Sequence, residues 1–338
     1  IALHFDSRKA TKDSVFFAIP GVLADGHDYI NAALEEGCRI IICERNVLLN
    51  NEDVTCLMVK DSSAALAMMS GAFYAYPSGK LDLVGITGTN GKTTTATLLH
   101  DLYSALGYTC GLISTVVNKV GNREIQSTHT TPNSVSLNLL LAEMVEEGCT
   151  HCFMEVSSHS VVQNRTLGIE FKGGVFTNIS HDHLDYHKTF DEYIKAKKRF
   201  FDGLSSDAFA LVNSDDKNGS VMVQNTKAER LTYALKSPAD FKAKILENEI
   251  SGLILNMDGM EFYSRLIGRF NAYNLLTVFA VARLLGEDKL KILSALSDLK
   301  SVEGRFQYVK GEQGPTAIVD YAHTPDALEN ILQSLGET

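Results

Sequence analysis

A glycine-rich turn between an apolar run and a helical pattern constrains this chain more than any other feature. Residues 84–95 read Val-Gly-Ile-Thr-Gly-Thr-Asn-Gly-Lys-Thr-Thr-Thr, and residues 81–86 are typical of a buried strand. Glycine at positions 88 and 91 lets the backbone turn so that successive N–H groups point at one anion. Leucines at helical spacing follow from position 98, so a helix N-terminus faces the same anion. The stretch therefore predicts a strand, a phosphate-binding loop and a helix.

The loop also carries the side chains that nucleotide phosphates require. Lys92 supplies a charge for the β- and γ-phosphates, and the hydroxyl of Thr93 or Thr94 suits Mg²⁺. The usual first glycine of this pattern, five residues before Gly91, is replaced by Ile86. A glycine-rich surface turn is the alternative, but the order of strand, loop and helix favours nucleotide binding.

Composition limits the class of protein. The chain has 338 residues, 45% hydrophobic and 21% charged, which is ordinary for a globular protein of two or three domains. We expect no membrane span and no signal peptide, and the net charge of −10 argues against a nucleic-acid partner. The six cysteines are scattered and mostly lie in apolar runs, including the Cys149-x-x-Cys152 pair, so we expect reduced, structural thiols in a cytoplasmic protein.

The order of apolar runs predicts an α/β protein with three domains. We expect a small α/β domain over residues 1–79, a central phosphate-loop domain with a mainly parallel sheet over 80–304, and the first strand and helix of a Rossmann-like domain over 305–338. Within the central domain, alternation over residues 240–268 predicts an antiparallel region. Because one strand and one helix cannot bury a core, we expect the last domain to be cut short, and the first residue, Ile1, suggests a missing natural N-terminus.

Two polar runs follow predicted strands directly. Glu155-Val-Ser-Ser-His159 follows the strand 152–156, and residues 178–187 concentrate three histidines and two aspartates after the strand 174–177. Strand ends are where doubly wound sheets bind ligands. Zinc is one interpretation, but oxygen ligands beside a phosphate loop favour Mg²⁺ held by Glu155 and His183. A basic helix follows, and one lysine on its inward face is within reach of such a metal.

Six runs of this chain resemble the Mur ligases, and most closely the branch that adds the third residue of the peptidoglycan stem peptide. The runs cover nearly the whole chain in the expected order, and Asp6-Ser7-Arg8 and Ala18–Gly21 match the first domain of that branch. They are residues 85–95, 154–165, 175–187, the Ala196-Lys197 pair, 268–274 and 319–329.

The resemblance implies roles for individual residues. The first domain would hold uridine diphosphate with Ser7 and the turn Val22, Leu23 and Ala24. Other positions match those that bind the UDP-MurNAc dipeptide: Thr130, Thr131, Ser157, Gln163 and Arg165, together with His129, where relatives often carry asparagine. The ATP site would comprise Gly88, Thr89, Asn90, Gly91, Lys92, Thr93, Thr94, Asn271, Arg305, Asp320 and His323. Glu155 and His183 match magnesium ligands beside Thr93, and Lys197 matches a lysine carried as a carbamate that binds a second Mg²⁺.

The resemblance also implies a mechanism with two Mg²⁺ ions and ATP as co-substrate. The D-glutamate carboxylate of UDP-MurNAc-L-Ala-D-Glu would attack the γ-phosphate of ATP, with Lys92, His183 and Lys197 in catalytic roles. The amine of meso-diaminopimelate or L-lysine would then attack the acyl phosphate to give the amide. We expect a cytoplasmic monomer.

Two alternatives remain open from the sequence. The first is another Mur-type or folylpolyglutamate-type ligase, which shares the phosphate loop; the second is a nucleotide-dependent binding or switch protein. The amino acid that is added cannot be read from these residues, and we expect a chain cut short in its last domain to bind substrates without forming product.

Overall fold

We describe a computed structural model of the chain, in which residues 1–21, 24–47, 53–180, 184–310, 316–322 and 325–336 are described. Contacts divide the chain into two compact units. Unit 1 comprises Ile1–Ser78, Pro132–Glu143 and His159–Ile169, and unit 2 comprises Gly79–Thr131, Met144–Ser158 and Glu170–Thr338. Among the described residues, no helix combines the length and the apolar character that crossing a membrane requires.

Unit 1 contains a four-stranded parallel sheet whose strands follow one another in sequence order. Its strands and helices are β1 (Ala2–His4), β2 (Ser14–Phe17), α1 (Ile30–Glu35), β3 (Ile40–Cys43), β4 (Thr55–Met58) and α2 (Ser62–Phe73), with short 3₁₀ helices at Ser7–Lys9 and Gly26–Tyr29. Asp61 starts α2 by accepting a hydrogen bond from the backbone N–H of Ala64, so a side-chain cap ends the preceding loop. Leu66 of that helix packs on Phe17 and Ile42 of the sheet.

Unit 2 is built on an eleven-stranded sheet that is parallel at its centre. The first half of this part of the chain runs through β5 (Asp82–Thr87), α3 (Lys92–Ala105), β6 (Cys110–Ile113), β7 (Val117–Val120), β8 (Arg123–Gln126), α4 (Ser134–Glu146, which belongs to unit 1 as far as Glu143), β9 (His151–Glu155), α5 (Ser158–Val162, which belongs to unit 1 except for Ser158), β10 (Gly173–Phe176), α6 (Leu184–His187) and α7 (Phe190–Asp202). Its second half contains β11 (Phe209–Asn213), α8 (Gly219–Met222), β12 (Glu229–Ala234), β13 (Phe241–Glu249), β14 (Gly252–Met257), β15 (Met260–Ser264), α9 (Arg269–Leu284), α10 (Lys289–Asp298), β16 (Gln307–Lys310), β17 (Thr316–Val319) and α11 (Pro325–Gly336).

The strand order of the large sheet places β5 at its centre. The order is β15-β14-β13-β12-β11-β10-β5-β9-β6-β7-β8, and the strands from β13 to β6 run parallel. Strand β5 pairs with β10 on one side and with β9 on the other. The segments that follow these three strands therefore emerge side by side at one edge, which is where open α/β sheets bind ligands.

Helices α3 and α9 cover the core of this sheet. Leu98, Leu99 and Leu102 of α3 are fully buried and pack in one cluster with Val84 and Ile86 of β5. The same cluster takes in a nearly continuous run of α9, from Leu275 to Ala282. A helix with apolar residues on every side is expected where neighbours cover all of it. The sheet thereby holds the start of α3 in a rigid position.

The structure confirms the α/β class and the mainly parallel sheet that the sequence predicts. It also confirms the antiparallel region, as strands β13, β14 and β15 pair in that sense. The expectation of a single strand in the last segment was incomplete, because β16 pairs with β17 as an antiparallel hairpin. The three predicted domains stay a prediction.

Candidate phosphate and metal site

The phosphate loop joins β5 to α3 and owes its shape to two glycines. Gly88 has φ 153° and Gly91 has φ 86°, values that other residues rarely adopt. A Cβ atom on Gly88 would lie 1.9 Å from the Thr177 hydroxyl oxygen, and one on Gly91 would lie 2.7 Å from the Asn274 side-chain oxygen. Glycine is therefore required at both positions for conformation and for space. Within the described chain no side chain caps α3 at Gly91, so its N-terminus suits an anion.

The residues directly after β10 hold this loop in place through hydrogen bonds. Asn178 accepts a hydrogen bond from the backbone N–H of Asn90 at 2.9 Å and donates one to its carbonyl at 3.1 Å. The Thr177 hydroxyl donates to the same carbonyl at 2.7 Å. The backbone N–H of Ser180 donates to the Thr89 hydroxyl at 3.0 Å. These bonds fix the loop before any phosphate binds, which lowers the ordering cost of binding.

Two lysines contact the loop. The Lys92 ammonium donates to the carbonyls of Gly88 and Thr89 at 3.0 and 2.7 Å. Lys197 is 1% exposed and donates to the Gly88 carbonyl at 2.7 Å, with its Nζ 4.7 Å from the centre of the Tyr193 ring. Its burial follows from the apolar face of α7, on which Tyr193, Ala196 and Phe200 are also buried. The structure thus brings both predicted lysines to one loop.

Glu155 lies at the end of β9 and reaches the start of α3. It is 1% exposed, and its Oε1 accepts hydrogen bonds from the Thr93 hydroxyl at 2.9 Å and the Thr115 N–H at 2.7 Å. Its other oxygen, Oε2, is buried and has no hydrogen-bond partner among the described residues. Such an oxygen costs about 1–3 kcal/mol unless a ligand satisfies it. Arg305 donates to the Thr93 hydroxyl at 3.1 Å, so these side chains form one connected group.

This group fits a hard divalent cation. A carboxylate oxygen and a threonine hydroxyl beside a phosphate loop are the ligands that Mg²⁺ takes together with phosphate oxygens. The described residues alone contain no set of three or more His, Cys, Asp or Glu side chains that could hold a metal ion. Glu155 and Thr93 therefore form an incomplete site that other ligands would have to complete.

A cleft of about 530 Å³ opens beside the loop. The predicted nucleotide residues Arg305 and Asp320 both line it, and Asp320 accepts hydrogen bonds from the N–H groups of Phe306 and Ala322. Asn271 does not line the cleft: it is 3% exposed and donates to the Ile267 carbonyl.

Asn274 faces the loop directly. It lines the cleft, donates to the Asn271 side-chain oxygen at 2.9 Å and accepts from the Thr95 hydroxyl at 3.4 Å. Asn271 lies behind Asn274 and supports it, and its place in the ATP site stays a prediction.

Predicted substrate residues in unit 2 lie close to Glu155. Thr131 is buried, donates to the Glu155 carbonyl at 2.9 Å and accepts from the Ser157 N–H at 3.1 Å. Thr130 accepts a hydrogen bond from the Thr115 hydroxyl at 3.0 Å. His129 is exposed and contacts its neighbour Thr128. Thr130, Thr131 and Ser157 thus share one connected set of contacts with the candidate metal ligand.

Other predicted substrate residues belong to unit 1. Arg165 donates to the Gln163 side-chain oxygen through Nε and Nη2, at 2.9 and 2.6 Å. Ser7 is buried in a 3₁₀ helix, and the Ala24 carbonyl accepts from the Gly21 N–H at 2.9 Å. The remaining predicted residues, Val22, Leu23, His183 and His323, lie outside the described residues.

Two histidines of the polar runs are among the described residues. His187 is 4% exposed, and its Nε2 lies 2.8 Å from the Ser158 hydroxyl. The backbone carbonyl of His159 accepts from the Gln163 N–H as part of a helical turn. Five of the six cysteines are buried as the sequence predicts, and Cys56 is exposed.

Sequence reasoning missed the residues that hold the loop from outside it. Asn178 and Asn274 were inside recognised runs, but a side chain that binds a distant backbone gives no local pattern. Tyr273 was also inside a recognised run, whereas Asp215, which lines the cleft as well, lay outside every motif.

Family models match three parts of the chain. The Mur ligase middle domain matches residues 86–282, the Mur ligase family catalytic domain matches 2–74, and the Mur ligase glutamate ligase domain matches 304–338.

Individual proteins and a solved structure are similar over almost the whole chain. The UDP-N-acetylmuramoyl-L-alanyl-D-glutamate–2,6-diaminopimelate ligase of Cytophaga hutchinsonii is 56% identical over 337 residues, covering 99% of this chain and 69% of that protein. The ligase of the same name from Phocaeicola vulgatus is 51% identical over 335 residues, with coverage of 99% and 69%. A solved structure with that ligase name has a TM-score of 0.84 and 28% identity, covering 99% of this chain and 70% of its own.

Proposed function

The chain belongs to the Mur ligase family, and from this we propose that it is the ATP-dependent ligase that adds 2,6-diaminopimelate to UDP-MurNAc-L-Ala-D-Glu in the cytoplasm. The observation that carries the proposal is the connected group of phosphate loop, Thr93 and buried Glu155, whose Oε2 has no hydrogen-bond partner among the described residues. The names of the relatives favour diaminopimelate over L-lysine as the amino acid that is added.

The loop residues act on the phosphates of ATP. Gly88 and Gly91 open space for them, the start of α3 directs backbone N–H groups at them, and the Lys92 ammonium lies within the loop. In our proposal Lys92 leaves its carbonyl partners for the γ-phosphate, where its charge stabilises the transfer. Arg305, on the wall of the cleft, is suited to the same phosphates through its planar fork.

The metal ligands that we propose are Thr93, Glu155, His183 and Lys197, the last as a carbamate. Glu155 and His183, beside the Thr93 hydroxyl, would bind one Mg²⁺, and the modified Lys197 would bind a second. Bound there, Mg²⁺ neutralises charge on the phosphate oxygens during transfer. The fit rests on Glu155 Oε2, which has no partner within the described part of the chain, and on the burial of Lys197 against the loop.

The reaction would have two steps with a balanced exchange of bonds. The D-glutamate carboxylate attacks the γ-phosphorus of ATP and releases ADP, which leaves an acyl phosphate. The amine of diaminopimelate then attacks the acyl carbon, loses a proton and displaces inorganic phosphate. We propose that the substrate is oriented by Ser7, Val22, Leu23, Ala24, His129, Thr130, Thr131, Ser157, Gln163 and Arg165.

A product assay tests the function. The protein as the cell makes it is incubated with ATP, UDP-MurNAc-L-Ala-D-Glu and radiolabelled diaminopimelate, with L-lysine in a parallel tube. We expect a UDP-linked tripeptide, with one ADP and one phosphate per amide bond. Lys92→Ala should lower this turnover by about 10²–10³-fold, whereas the exposed Lys227→Ala should leave it unchanged.

The same assay separates the alternatives. ATP hydrolysis without a peptide product would support a switch or binding protein, and glutamate addition to a folate would support a folylpolyglutamate-type ligase. Near-normal turnover in Lys92→Ala would show that the loop has another role.

A further inference from the structure

Asp215 joins two segments that no motif connects. It lies in the turn after β11, on the wall of the cleft. Its Oδ2 accepts hydrogen bonds from the backbone N–H groups of Leu235 and Lys236 at 2.8 and 2.9 Å and from the Tyr273 hydroxyl at 2.8 Å. Its Oδ1 accepts from the Ser237 N–H at 2.8 Å. One carboxylate thereby fixes the segment after β12 and the first turns of α9.

These bonds keep the carboxylate charged. Burial acts to raise the pKa of Asp215, but the hydrogen bonds from Lys236, Ser237 and Tyr273 outweigh it and hold the pKa well below its usual range. Burial and the bond to Asp215 raise the pKa of Tyr273, which therefore remains a neutral donor. Hydrogen bonds to a charged group are stronger than those between neutral groups.

The same turn also holds the end of β10. Asn213 donates to the Thr177 carbonyl at 3.0 Å, and Asp216 accepts from the Ile179 N–H at 2.8 Å. Residues 213–216 therefore connect the ends of β10 and β12 with the start of α9. All of these segments line the cleft beside the phosphate loop.

The lining of the cleft includes two chemically different groups of residues. Gly91, Thr94 and Arg305 suit phosphates, whereas Asn178 and Asn213, at the ends of β10 and β11, offer amide groups, and Tyr233 of β12 and Tyr273 of α9 offer aromatic rings. Amide groups and aromatic rings are the groups that recognise a nucleoside. A nucleotide whose phosphates occupy the loop would therefore extend its nucleoside toward residues 213–216.

We propose that Asp215 is a positioning residue for this nucleoside, acting through the 235–237 segment and Tyr273, which it holds as the wall of the cleft. The inference rests on the proposed use of ATP. Asp215 has no part in the transfer of the phosphoryl group, so its loss should weaken nucleotide binding without slowing the chemical steps.

A second aspartate provides a matched control. Asp240 accepts hydrogen bonds from the Thr232 N–H at 2.8 Å and the Thr232 hydroxyl at 2.6 Å, so it also fixes backbone, in this case within β12. It is exposed and does not line the cleft. If the loss of a backbone-binding carboxylate acted only by loosening the structure, Asp215→Asn and Asp240→Asn should show the same effect.

The experiment compares Asp215→Asn, Asp240→Asn and Tyr273→Phe with the natural protein. Calorimetric titration measures binding of ADP and of inorganic triphosphate, which lacks a nucleoside, and the product assay measures KM and kcat. In Asp215→Asn we expect the Kd of ADP and the KM of ATP to rise about tenfold, the effect of losing one hydrogen bond to a charged group. The Kd of triphosphate, kcat and the KM of the UDP substrate should change less than about twofold.

The remaining variants keep the test decisive. Asp240→Asn should match the natural protein in every binding constant, and Tyr273→Phe, which removes only one hydrogen bond, should raise the Kd of ADP about threefold while the fold is retained. Unchanged ADP binding in both Asp215→Asn and Tyr273→Phe overturns the inference, as does an equal loss of triphosphate binding. Failure of the natural protein to bind ADP would instead contradict the proposed function.

Discussion

Glu155 shows how one buried side chain can define a site. Its Oε1 is satisfied by Thr93 and Thr115, and its Oε2 has no hydrogen-bond partner in the described part of the chain. Replacement by glutamine keeps the shape and an acceptor but removes the charge that a cation needs. We expect Glu155→Gln to stay folded, to lower turnover by about 100-fold and to require more Mg²⁺, because a metal ligand contributes several kcal/mol to charge stabilisation.

A magnesium titration of turnover checks this expectation. The exposed Glu229→Gln serves as the control for a lost surface charge. A Glu155→Gln variant with the natural magnesium dependence would exclude Glu155 as a ligand.

The cysteines of unit 1 differ sharply in accessibility. Cys43 and Cys56 lie on neighbouring strands with their sulfurs 3.2 Å apart, but only Cys56 is exposed. Burial, together with the hydrogen bond to Cys56, raises the pKa of Cys43 from 9.0 to about 11. Since the thiolate is the reactive form, iodoacetamide at pH 8 should label Cys56 and spare Cys43.

Peptide mass spectrometry of the folded protein reads this labelling. Cys43 should begin to react as the pH rises from 9 toward 11, unless the protein unfolds first. Equal labelling of both thiols at pH 8 would contradict the prediction, and the unfolded protein in urea provides the reference for full labelling.

At the scale of single elements, the loop between β5 and α3 depends on empty space at Gly88. Gly88→Ala places a methyl group 1.9 Å from the Thr177 hydroxyl oxygen, so either the loop or the end of β10 must move. We expect a loss of about 1–3 kcal/mol in the free energy of unfolding and a large loss of ADP affinity. Urea denaturation and calorimetric titration measure the two effects.

Gly107→Ala is the matched control for this change. Gly107 also has a positive φ, 95°, but apart from its own chain neighbours no atom of the described residues lies within 4 Å of its added Cβ. It should lose about 1 kcal/mol through backbone strain alone and keep its ADP affinity. If the two variants lost the same stability and affinity, the close approach at Gly88 would have no energetic role.

Elements with buried faces could be predicted from sequence, and exposed ones could not. Helix α3 carries leucines at helical spacing, strands β9 and β10 are buried along their whole length, and each strand is present within one residue of its expected bounds. Strand β8 is an edge strand whose side chains are largely exposed, so it has no apolar alternation to reveal it.

The part of the site that is contiguous in sequence was predictable, and the part assembled from distant segments was not. The loop residues are contiguous and form a local pattern, so position 88 to position 94 could be assigned in advance. The supporting roles of Asn178, Asn274 and Asp215 depend on which strands become neighbours. Spacing along the chain does not contain that information, so the contact between Asn274 and Asn271 was not foreseen.

At the scale of the whole molecule, ligand binding should slow amide hydrogen exchange along the edge of the large sheet where its parallel strands end. ADP contacts are expected at the ends of β5, β10 and β11, which are far apart in sequence but adjacent in the sheet. Amide hydrogen exchange in these three segments should slow when ADP binds. At 100 times its Kd, ADP adds about 2.7 kcal/mol to stability, which corresponds to about 100-fold slower opening.

The β14–β15 hairpin is the internal control for this measurement. Its strands are the last two on one side of the same sheet, and β12 and β13 separate them from β11. Amide exchange in the hairpin should therefore change little at labelling times shorter than global unfolding. Slowing confined to the hairpin, or absent from the ends of β10 and β11, would contradict the expected position of the nucleotide.

The central position of β5 has a consequence for how the protein acquires activity. The partners of its loop come from chain segments as distant as residues 178 and 274, so the site has no complete local precursor. Contacts of such long sequence separation form slowly, because loop-closure entropy must be overcome first. Nucleotide affinity should therefore be among the last properties to return on refolding. The time course of recovered ADP binding then reports when the central strands of the sheet have paired.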